Sequence, residues 1–392
     1  MMSELLESRW TETKDALLEG LDGNKKSVMA ATLENTRKYL SESATAGATS
    51  AGNVATLNRV ILPVIRRVMP TVIANELVGV QPMTGPVGQI HTLRVRYADA
   101  FNSANGTDTS AGEEALSPFK IAEGYSGATD DKAATTAALE GNAGRKLSIQ
   151  ILKQTVEAKS RKLSARWTFE AAQDAQSMHG IDVEAEIMAA LAQEITAEID
   201  QEVLASLNSL AGNAAETYDQ AAVSGTATFV GDEHAALAVQ INRVANLIAQ
   251  RTRRGAGNWA VVSPFALTIL QSATTSAFAR TTEGTFEAPT NTKMVGTLNN
   301  AMKVYVNTYS SDNADVLVGY KGASESDAPA FYCPYIPLMS SGVVLDPSTF
   351  EPTVSFMTRY GYVELSNTAS SLGNAADYLG KVAITNGNVS FS

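Results

Sequence analysis

The sequence has few of the residues that metal and catalytic sites use. Its 392 residues include one cysteine, Cys333, and three histidines, His91, His179 and His234. One cysteine excludes an internal disulfide and a cysteine-rich metal site, and the scattered histidines show no zinc-ligand spacing. Cys333 stands in the apolar stretch "AFYCPYIPL" without a basic neighbour, which predicts a buried and unreactive thiol.

Nucleotide, esterase and membrane signatures are also missing. The chain has no GxxxxGK[ST] phosphate loop, no GxGxxG after a strand and no GxSxG elbow. No apolar run approaches the roughly 18 residues that a membrane span needs, and "MMSELLESRW" carries acids where a signal peptide would be basic and apolar. We therefore predict no catalytic, cofactor-binding or metal-binding residues, no membrane contact, and a protein made and kept in a cytoplasm.

The composition is that of a folded, acidic protein. Hydrophobic residues make up 44% of the chain, enough for a sizeable core, and the net charge is -11. This charge argues against a surface whose main role is to bind nucleic acid. It would suit a protein that lies beside packed DNA without adhering to it.

The first forty residues predict two amphipathic helices separated by "DGNKK". Leu17, Leu18 and Leu21 lie near one side of the first helix, and the second repeats the pattern. The small, polar stretch "SATAGATSAGN", residues 43–53, predicts an extended linker, so we expect helices that are tethered to the body rather than built into it. Ordinary core packing and a detachable assembly segment both remain open.

A strand and a long hairpin are predicted next. "QIHTLRVRY" alternates as a strand does, and "KLSIQIL" alternates again after the long polar loop 98–145. Together they indicate an extended hairpin with an elaborate tip. Lys159, Arg161 and Lys162 follow, interleaved with apolar residues, and favour a charged subunit contact or a solvated strand face over a nucleic-acid patch.

The strongest helical pattern covers residues 181–210. Asp182 is placed to cap it, and a stripe at steps of four is typical of a core-facing helix: Ile187, Leu191, Ile195, Ile199 and Val203. The other carboxylates predict a solvated acidic face rather than a metal site: Glu194, Glu198, Asp200 and Glu202. His179 is interpreted as a residue at the start of this helix.

The remainder predicts an α/β unit followed by strands. A helix that ends at "RTRRG" precedes the buried-strand run "NWAVVS" and a short helix, and the last third is mostly β. Arms, hairpins and long helices of this kind gain stability when they rest on neighbours. The chain is therefore expected to form oligomers.

Several blocks resemble the major capsid proteins of T-even-type myophages. They are "VIRRVMPTVIANEL" with "VGVQPMTGPVGQIHTLRVRY", then "VEAKSRKLSARWTFEAAQDAQSMHGIDVEAEIMAALAQEITAEIDQEV", "DVLVGYKGA", "AFYCPYIPLM" and "DPSTFEPTVSFMTRYG". They follow the family's order and cover most of residues 60–362. The resemblance implies an α+β Hong Kong 97-type capsid fold with an N-terminal arm, an extended loop, a spine helix, and peripheral and axial domains.

The resemblance also implies a division of the chain and a set of contacts. The subunit-contact candidates are Lys159, Arg161, Lys162, Arg66, Arg67, Leu17, Leu18 and Leu21. The expected parts are 1–53 helical arm and linker, 54–97 arm continuation and first peripheral strand, 98–166 extended-loop hairpin with a reduced insertion, 167–232 peripheral domain with the spine helix at 181–210, 233–325 axial domain, and 326–392 β-rich return to the peripheral domain.

Two departures from the family affect the expected partners. Residues 105–145 are shorter than the insertion domain of larger members, so a capsomer-bridging role for that domain does not carry over. Larger members lose an N-terminal segment to a prohead protease that cuts after glutamate in a Leu/Ile-x-Glu context, and Glu7 and Glu19 fit this context. We expect an uncut arm, because residues 1–42 are present in this chain.

The combined interpretation is a phage major capsid protein without catalytic activity. We expect hexamers and pentamers in the icosahedral head of a virion assembled in the bacterial host cytoplasm. The expected partners are further copies, portal and decoration or vertex proteins, a scaffold, a prohead protease, and double-stranded DNA bound without sequence specificity. The alternatives are an encapsulin-like nanocompartment shell of the same fold and a soluble hydrolase with an unrecognised site.

Overall fold

The structure is a computed structural model. It describes residues 10–11, 14–21, 23–46, 72–102, 108–113, 115, 124–127, 133, 135–140, 144–180, 182–219, 230–252, 254–272, 278–280, 293–299, 301–311, 314–325, 327–346, 348–349, 351–365 and 375–385. Helices and strands alternate irregularly along these residues, which confirms the predicted α+β class. The chain divides into two compact units: residues 1–88, 156–206 and 330–363 form the first, and residues 89–155, 207–329 and 364–392 form the second.

The first unit is built on a five-stranded sheet. Its strands are β1 (Gly79–Val80), β4 (Lys159–Arg166), β11 (Ala330–Ser340), β12 (Val344–Leu345) and β13 (Pro352–Glu364). The order is β1-β11-β13-β12, and β4 runs antiparallel along β13 from Lys159 to Arg166. Several apolar side chains of β11 and β13, among them Ile336 and Phe356, are fully buried and contribute to the core of this unit.

Several helices among the described residues belong to the same unit. They are α1 (Gly23–Ala46), α2 (Ala74–Leu77), α4 (Phe169–His179) and, up to residue 206, α5 (Val183–Leu210). At about 1.5 Å per residue, the 28 residues of α5 span roughly 42 Å.

Helix α5 confirms the predicted apolar stripe. Leu191, Ile195, Ile199 and Val203 are buried, and Ile187 is half-buried. The Asp182 carboxylate accepts a 3.1 Å hydrogen bond from the Glu184 amide and so caps the first turn, as the sequence predicted.

The position of His179 differs from the prediction. It is the last residue of α4 rather than the first of the long helix. Gly180 ends α4 in the left-handed conformation, with φ 66°, and its amide hydrogen bonds to the carbonyls of Ala175 and Gln176. Glycine suits this position because it has no Cβ to clash in that conformation.

The second unit contains a seven-stranded sheet. Its strands are β5 (Glu216–Asp219), β6 (Trp259–Val262), β7 (Phe278–Arg280), β8 (Lys293–Leu298), β9 (Met302–Val306), β10 (Val316–Gly319) and β14 (Leu379–Thr385). They are ordered β5-β14-β10-β6-β9-β8-β7. The sequence-based division kept residues 326–392 together, whereas β14 pairs with β5 and β10 in this sheet.

Two helices complete the core of the second unit. They are α6 (Val230–Thr252), which precedes β6, and α7 (Pro264–Ser272), which follows it; β6 pairs in parallel with β9. The predicted α/β unit is thereby confirmed. Ile241, Val244 and Ile248 of α6 pack with the sheet's valines and isoleucines, and a side chain at Gly319 would collide with the buried indole of Trp259.

A two-stranded hairpin also belongs largely to the second unit. Strand β2 (Val87–Tyr97), which confirms the predicted strand, pairs with β3 (Leu147–Glu157). A one-turn helix, α3 (Thr136–Leu139), lies in the connecting segment. A two-stranded sheet has little core of its own and is marginally stable in water unless it packs against something else.

No helix among the described residues is long and apolar enough to cross a membrane.

Candidate assembly surfaces

An apolar row is exposed along β3 of the hairpin. Leu147, Ile149 and Ile151 are 56%, 67% and 67% exposed and, at alternate positions of one strand, share a face. The alternation of apolar residues identified this strand correctly, but in the isolated chain its apolar face does not pack against a core. Contiguous exposed apolar side chains of this kind are typical of protein interaction surfaces.

An arginine organises the tip of the hairpin. The Arg145 guanidinium lies 4.0 Å from the centre of the Phe101 ring and donates hydrogen bonds to the carbonyls of Gly124, Tyr125 and Gly127, at 3.3, 3.0 and 2.8 Å. Because one cation satisfies three carbonyls and covers a ring, the tip is held without a large apolar core. Sequence reasoning missed Arg145, whose only signal is its place between a glycine-rich loop and a strand.

The basic candidates on β4 divide into two kinds. Lys159 and Lys162 are exposed, as a surface contact requires. Arg161 instead donates to Glu198 at 2.8 Å and to Glu202 at 2.6 Å, both on α5 of its own chain. Its Nε donates to the Tyr360 hydroxyl at 2.6 Å. The Arg161 side chain therefore ties β4 to α5 and β13 within one subunit, and its role as a subunit contact stays a prediction.

Hydrogen bonds within this cluster shift the pKa values of Arg161 and Glu202. Burial would lower the pKa of Arg161, but the hydrogen bonds from Arg161 to Glu202 and Tyr360 outweigh burial and raise it. Burial would raise the pKa of Glu202, but the hydrogen bonds that it accepts from Tyr360 and Arg161 lower it. The cluster therefore keeps its opposite charges over the ordinary pH range.

The predicted solvated acidic face of α5 is wrong at one position. Glu194, Glu198 and Glu202 are exposed, but Asp200 is 2% exposed and accepts a 2.8 Å hydrogen bond from the Ile73 amide. Burial raises the pKa of Asp200 to about 7, although the Ile73 bond acts in the opposite direction. The sequence offered no signal, because Asp200 looks like its exposed neighbours in a helix rich in acids.

The N-terminal arm packs on its own subunit. Leu17 and Leu18 are buried and Leu21 is half-buried, and on α1 the side chains of Met29 and Leu33 are buried as well. The expectation of helices tethered apart from the body is therefore corrected. Helix α1 also continues to Ala46, so the first four residues of the predicted extended linker are helical.

Buried polar groups fix the position of α1. The Asn35 amide donates to the carbonyls of Met83, at 2.5 Å, and Tyr335, at 3.1 Å. Lys25 pairs with Glu76 at 2.5 Å. If α1 shifted or detached, both carbonyls would lose a buried hydrogen-bond donor. Asn35 therefore fixes the position of the arm on the body more specifically than apolar packing alone.

The remaining sequence candidates have simple placements. Arg66, Arg67 and Glu7 lie outside the described residues, and Glu19 is exposed in a turn after a helical segment. Cys333 is buried, and burial raises the pKa of its thiol to about 11, as expected of an unreactive cysteine. Among the described residues, no three histidine, cysteine or carboxylate side chains are grouped as metal ligands.

Comparison with known proteins gives a consistent set of matches. A family model described as major capsid protein Gp23 matches residues 54–384. The major capsid protein of Vibrio phage KVP40 is 30% identical over 83% of this chain and 80% of its own length, and that of Enterobacteria phage T4 is 30% identical over 82% and 78%. The capsid of Myoviridae phage XM1 aligns with a TM-score of 0.45 at 9% identity, over 80% of this chain and 92% of that one.

Proposed function

Because the chain belongs to the major capsid protein Gp23 family, we propose that its copies assemble as hexamers and pentamers into an icosahedral head shell around double-stranded DNA. It is a structural protein of the virion head and not a member of an enzyme family. The hydrolase alternative is therefore set aside, and the phage shell is favoured over the encapsulin-like compartment.

The exposed row on β3 is the observation that carries assembly through subunit contacts. Leu147, Ile149 and Ile151 expose more than half of their surfaces on a hairpin of only two strands. Hydrophobic side chains contribute about 1.5–3 kcal/mol each when they are buried. A neighbouring copy that covers the row would stabilise both the hairpin and the shell.

Substitution of this row tests the proposal. Ile149→Asp with Ile151→Asp should leave a folded subunit, because both side chains are already exposed, but should abolish particles seen by electron microscopy. Val239→Asp is the control, since Val239 is a 66% exposed apolar residue of helix α6 and is not part of the hairpin. Normal shells from the double variant, or wild-type protein that forms only small oligomers, would contradict the proposal.

The charge of the chain supports an enclosed genome without specific binding. A net charge of -11 disfavours tight adhesion to phosphates. The inner surface of such a shell would therefore not bind the packed DNA in one fixed position. Filled and emptied particles should therefore differ little in the stability of the shell at moderate salt.

The packing of the N-terminal arm affects whether a prohead protease could cleave it. Glu19 is exposed, but Leu17 and Leu18, which a protease with a Leu-x-Glu preference would read, are buried. We infer that the docked arm resists a prohead protease and stays uncut in the mature shell. Mass spectrometry should then find the arm on mature particles, whereas chains that begin after Glu7 or Glu19 would show it to be a processed segment.

Domain roles and other partners complete the proposal. The first unit, with its five-stranded sheet and most of α5, would supply the peripheral domain, and the seven-stranded sheet of the second would supply the axial domain. From the family resemblance we also propose portal, scaffold and decoration or vertex proteins as partners, and assembly in the bacterial cytoplasm. Reconstruction of the particle would test the two domain roles and would show portal and decoration or vertex proteins if they are present.

A further inference from the structure

The five-stranded sheet of the first unit carries a groove lined with hydroxyl groups. Strands β4 and β13 and the end of β11 enclose about 450 Å³, and the polar residues of this hydroxyl groove are Lys162, Ser164, Ser340, Ser341 and Ser355. No carboxylate of the described chain lines it. In a chain with 41 acidic and 30 basic residues, a groove with a cation, four hydroxyls and no acid indicates a site for an anion.

The register of β4 and β13 places the donors of this groove side by side. Ser164 is paired with Ser355, and Lys162 is paired with Met357, in the antiparallel ladder. Directly opposed side chains lie about 5 Å apart at Cβ, and alternate residues of one strand share a face about 7 Å apart. Lys162, Ser164 and Ser355 are exposed. Their ammonium and hydroxyl groups therefore share one open face of the sheet.

The serines at the end of β11 hold the groove in shape. The Ser341 hydroxyl accepts a 3.0 Å hydrogen bond from the Ser355 amide and donates to the Gly342 carbonyl at 2.9 Å. The Ser341 amide also donates to the Ser355 carbonyl at 2.9 Å. The Ser340 hydroxyl oxygen accepts from the Gly342 amide at 3.1 Å, which leaves its own hydrogen to donate. Ser341 is thus a positioning residue, whereas Ser340 and Ser355 offer donors to a ligand.

Two further cations continue the same face beyond the groove. Arg359 of β13 and Arg166 of β4 lie at alternate positions of the ladder that contains Lys162. The Arg359 guanidinium is held 5.3 Å from the centre of the Tyr335 ring, and Arg166 is 74% exposed and lies 3.6 Å from Glu351. A line of cations at multiples of about 7 Å suits a ligand that carries several anionic groups in a row.

The donors of the groove suit a phosphate group better than a carboxylate. Carboxylates are typically held by the planar fork of an arginine, whereas lysine binds phosphate as a point charge and serine hydroxyls commonly donate to phosphate oxygens. The groove itself is lined by a lysine and serines. Its chemistry is therefore that of a phosphate site.

We propose that the hydroxyl groove binds a phosphate group. Lys162 supplies the positive charge. The hydroxyls of Ser164, Ser340 and Ser355 donate hydrogen bonds to the phosphate oxygens. A free phosphate ion and the backbone of DNA both offer this group, and only DNA is long enough to reach Arg166 as well. The negative net charge of the chain does not oppose such a site, because the charge is unevenly distributed over the surface.

Titration of the unassembled full-length protein with inorganic phosphate tests the groove. Binding is followed by phosphorus NMR at constant ionic strength in chloride buffer. Lys162→Ala, and separately Ser164→Ala with Ser355→Ala, should each weaken binding about tenfold, because each removes hydrogen bonds to a charged ligand. Lys153→Ala and Ser160→Ala are the matched controls, since both residues are exposed but do not line the groove, and should bind like wild type. Circular dichroism checks that every variant folds.

Duplex DNA distinguishes the two sources of phosphate. Fluorescence anisotropy of a short labelled duplex is measured over a series of salt concentrations. If DNA is the source, Arg166→Ala and Arg359→Ala should each lower the salt dependence of binding by about one phosphate contact, as Lys162→Ala should. Phosphate binding that needs Lys162, without DNA binding, would instead assign the groove to a free phosphate. Either result supports the phosphate site.

Three outcomes would overturn the inference. One is wild-type protein that binds neither phosphate nor DNA, and a second is equal binding by wild type and the groove variants. The third is a glutamate-rich peptide that displaces phosphate at an equal concentration of charge, because the groove would then recognise negative charge rather than phosphate. None of these measurements requires shells, so they leave the proposed assembly function to its own test.

Discussion

The buried carboxyl group of Asp200 predicts a stability that rises as the pH falls. Asp200 is 2% exposed, and burial raises its pKa to about 7. An aspartate in an unfolded chain has a pKa of about 3.9. Between pH 4 and 7 the folded state therefore holds a proton that the unfolded state has released, and the free energy of unfolding decreases as the pH rises through this range.

The size of the effect follows from the shift in pKa. Each pKa unit corresponds to about 1.4 kcal/mol, so a shift of roughly three units corresponds to about 4 kcal/mol. The stabilisation is complete below pH 4 and is lost as the pH rises to 7. Tyr332 interacts electrostatically with Asp200 but stays neutral in this pH range. Burial is the main cause that raises the pKa of Tyr332, and the charges of Tyr360 and Asp200 raise it further.

Asp200→Asn isolates this contribution. The asparagine side chain retains an oxygen that can accept the Ile73 hydrogen bond, but it carries no charge at any pH. We expect the variant to match wild type near pH 4 and to gain about 1.4 kcal/mol over it for each pH unit up to pH 7, with no further gain above.

Urea unfolding of the unassembled protein at pH 5, 6, 7 and 8 measures this difference, with tryptophan fluorescence as the signal. Glu194→Gln is the control, because Glu194 is an exposed carboxylate on the same helix. Its difference from wild type should not change with pH. A difference between Asp200→Asn and wild type that is equally flat would refute the reasoning.

Three further perturbations test other parts of the structure. Leu191→Ala should cost about 2–5 kcal/mol on urea unfolding, because it leaves a cavity beneath the buried stripe of α5; wild-type stability would show that the stripe does not face a packed core. Arg161→Glu should destabilise the unassembled subunit, since it faces Glu198 and Glu202, whereas Lys162→Glu should lower only shell yield; equal unfolding of both would contradict this division. Asn35→Ala leaves two carbonyls without their partner, and limited proteolysis should then cut within α1 earlier than in wild type, with an unchanged cleavage rate as the contrary result.

Local patterns determined the elements that depend on neighbours in sequence. The period of 3.6 in "EIMAALAQEITAEI" and the cap at Asp182 specify α5, and alternation specifies β2 and β3, because side-chain direction along a helix or a strand follows from backbone geometry alone. "NWAVV" is similarly a buried strand at β6. The ordered blocks shared with the capsid family also lie in the sequence itself.

Only the tertiary structure decided how these elements are used. Asp200 is buried and its acidic neighbours are not, because the amide of Ile73, distant in sequence, meets α5 at that position. Arg161 pairs within the chain, and α1 packs against β11, for the same reason. Burial, pairing and exposure are set by contacts between residues that are far apart in the chain, so the alternation of Leu147, Ile149 and Ile151 could predict a strand but not that its apolar face is left open to solvent.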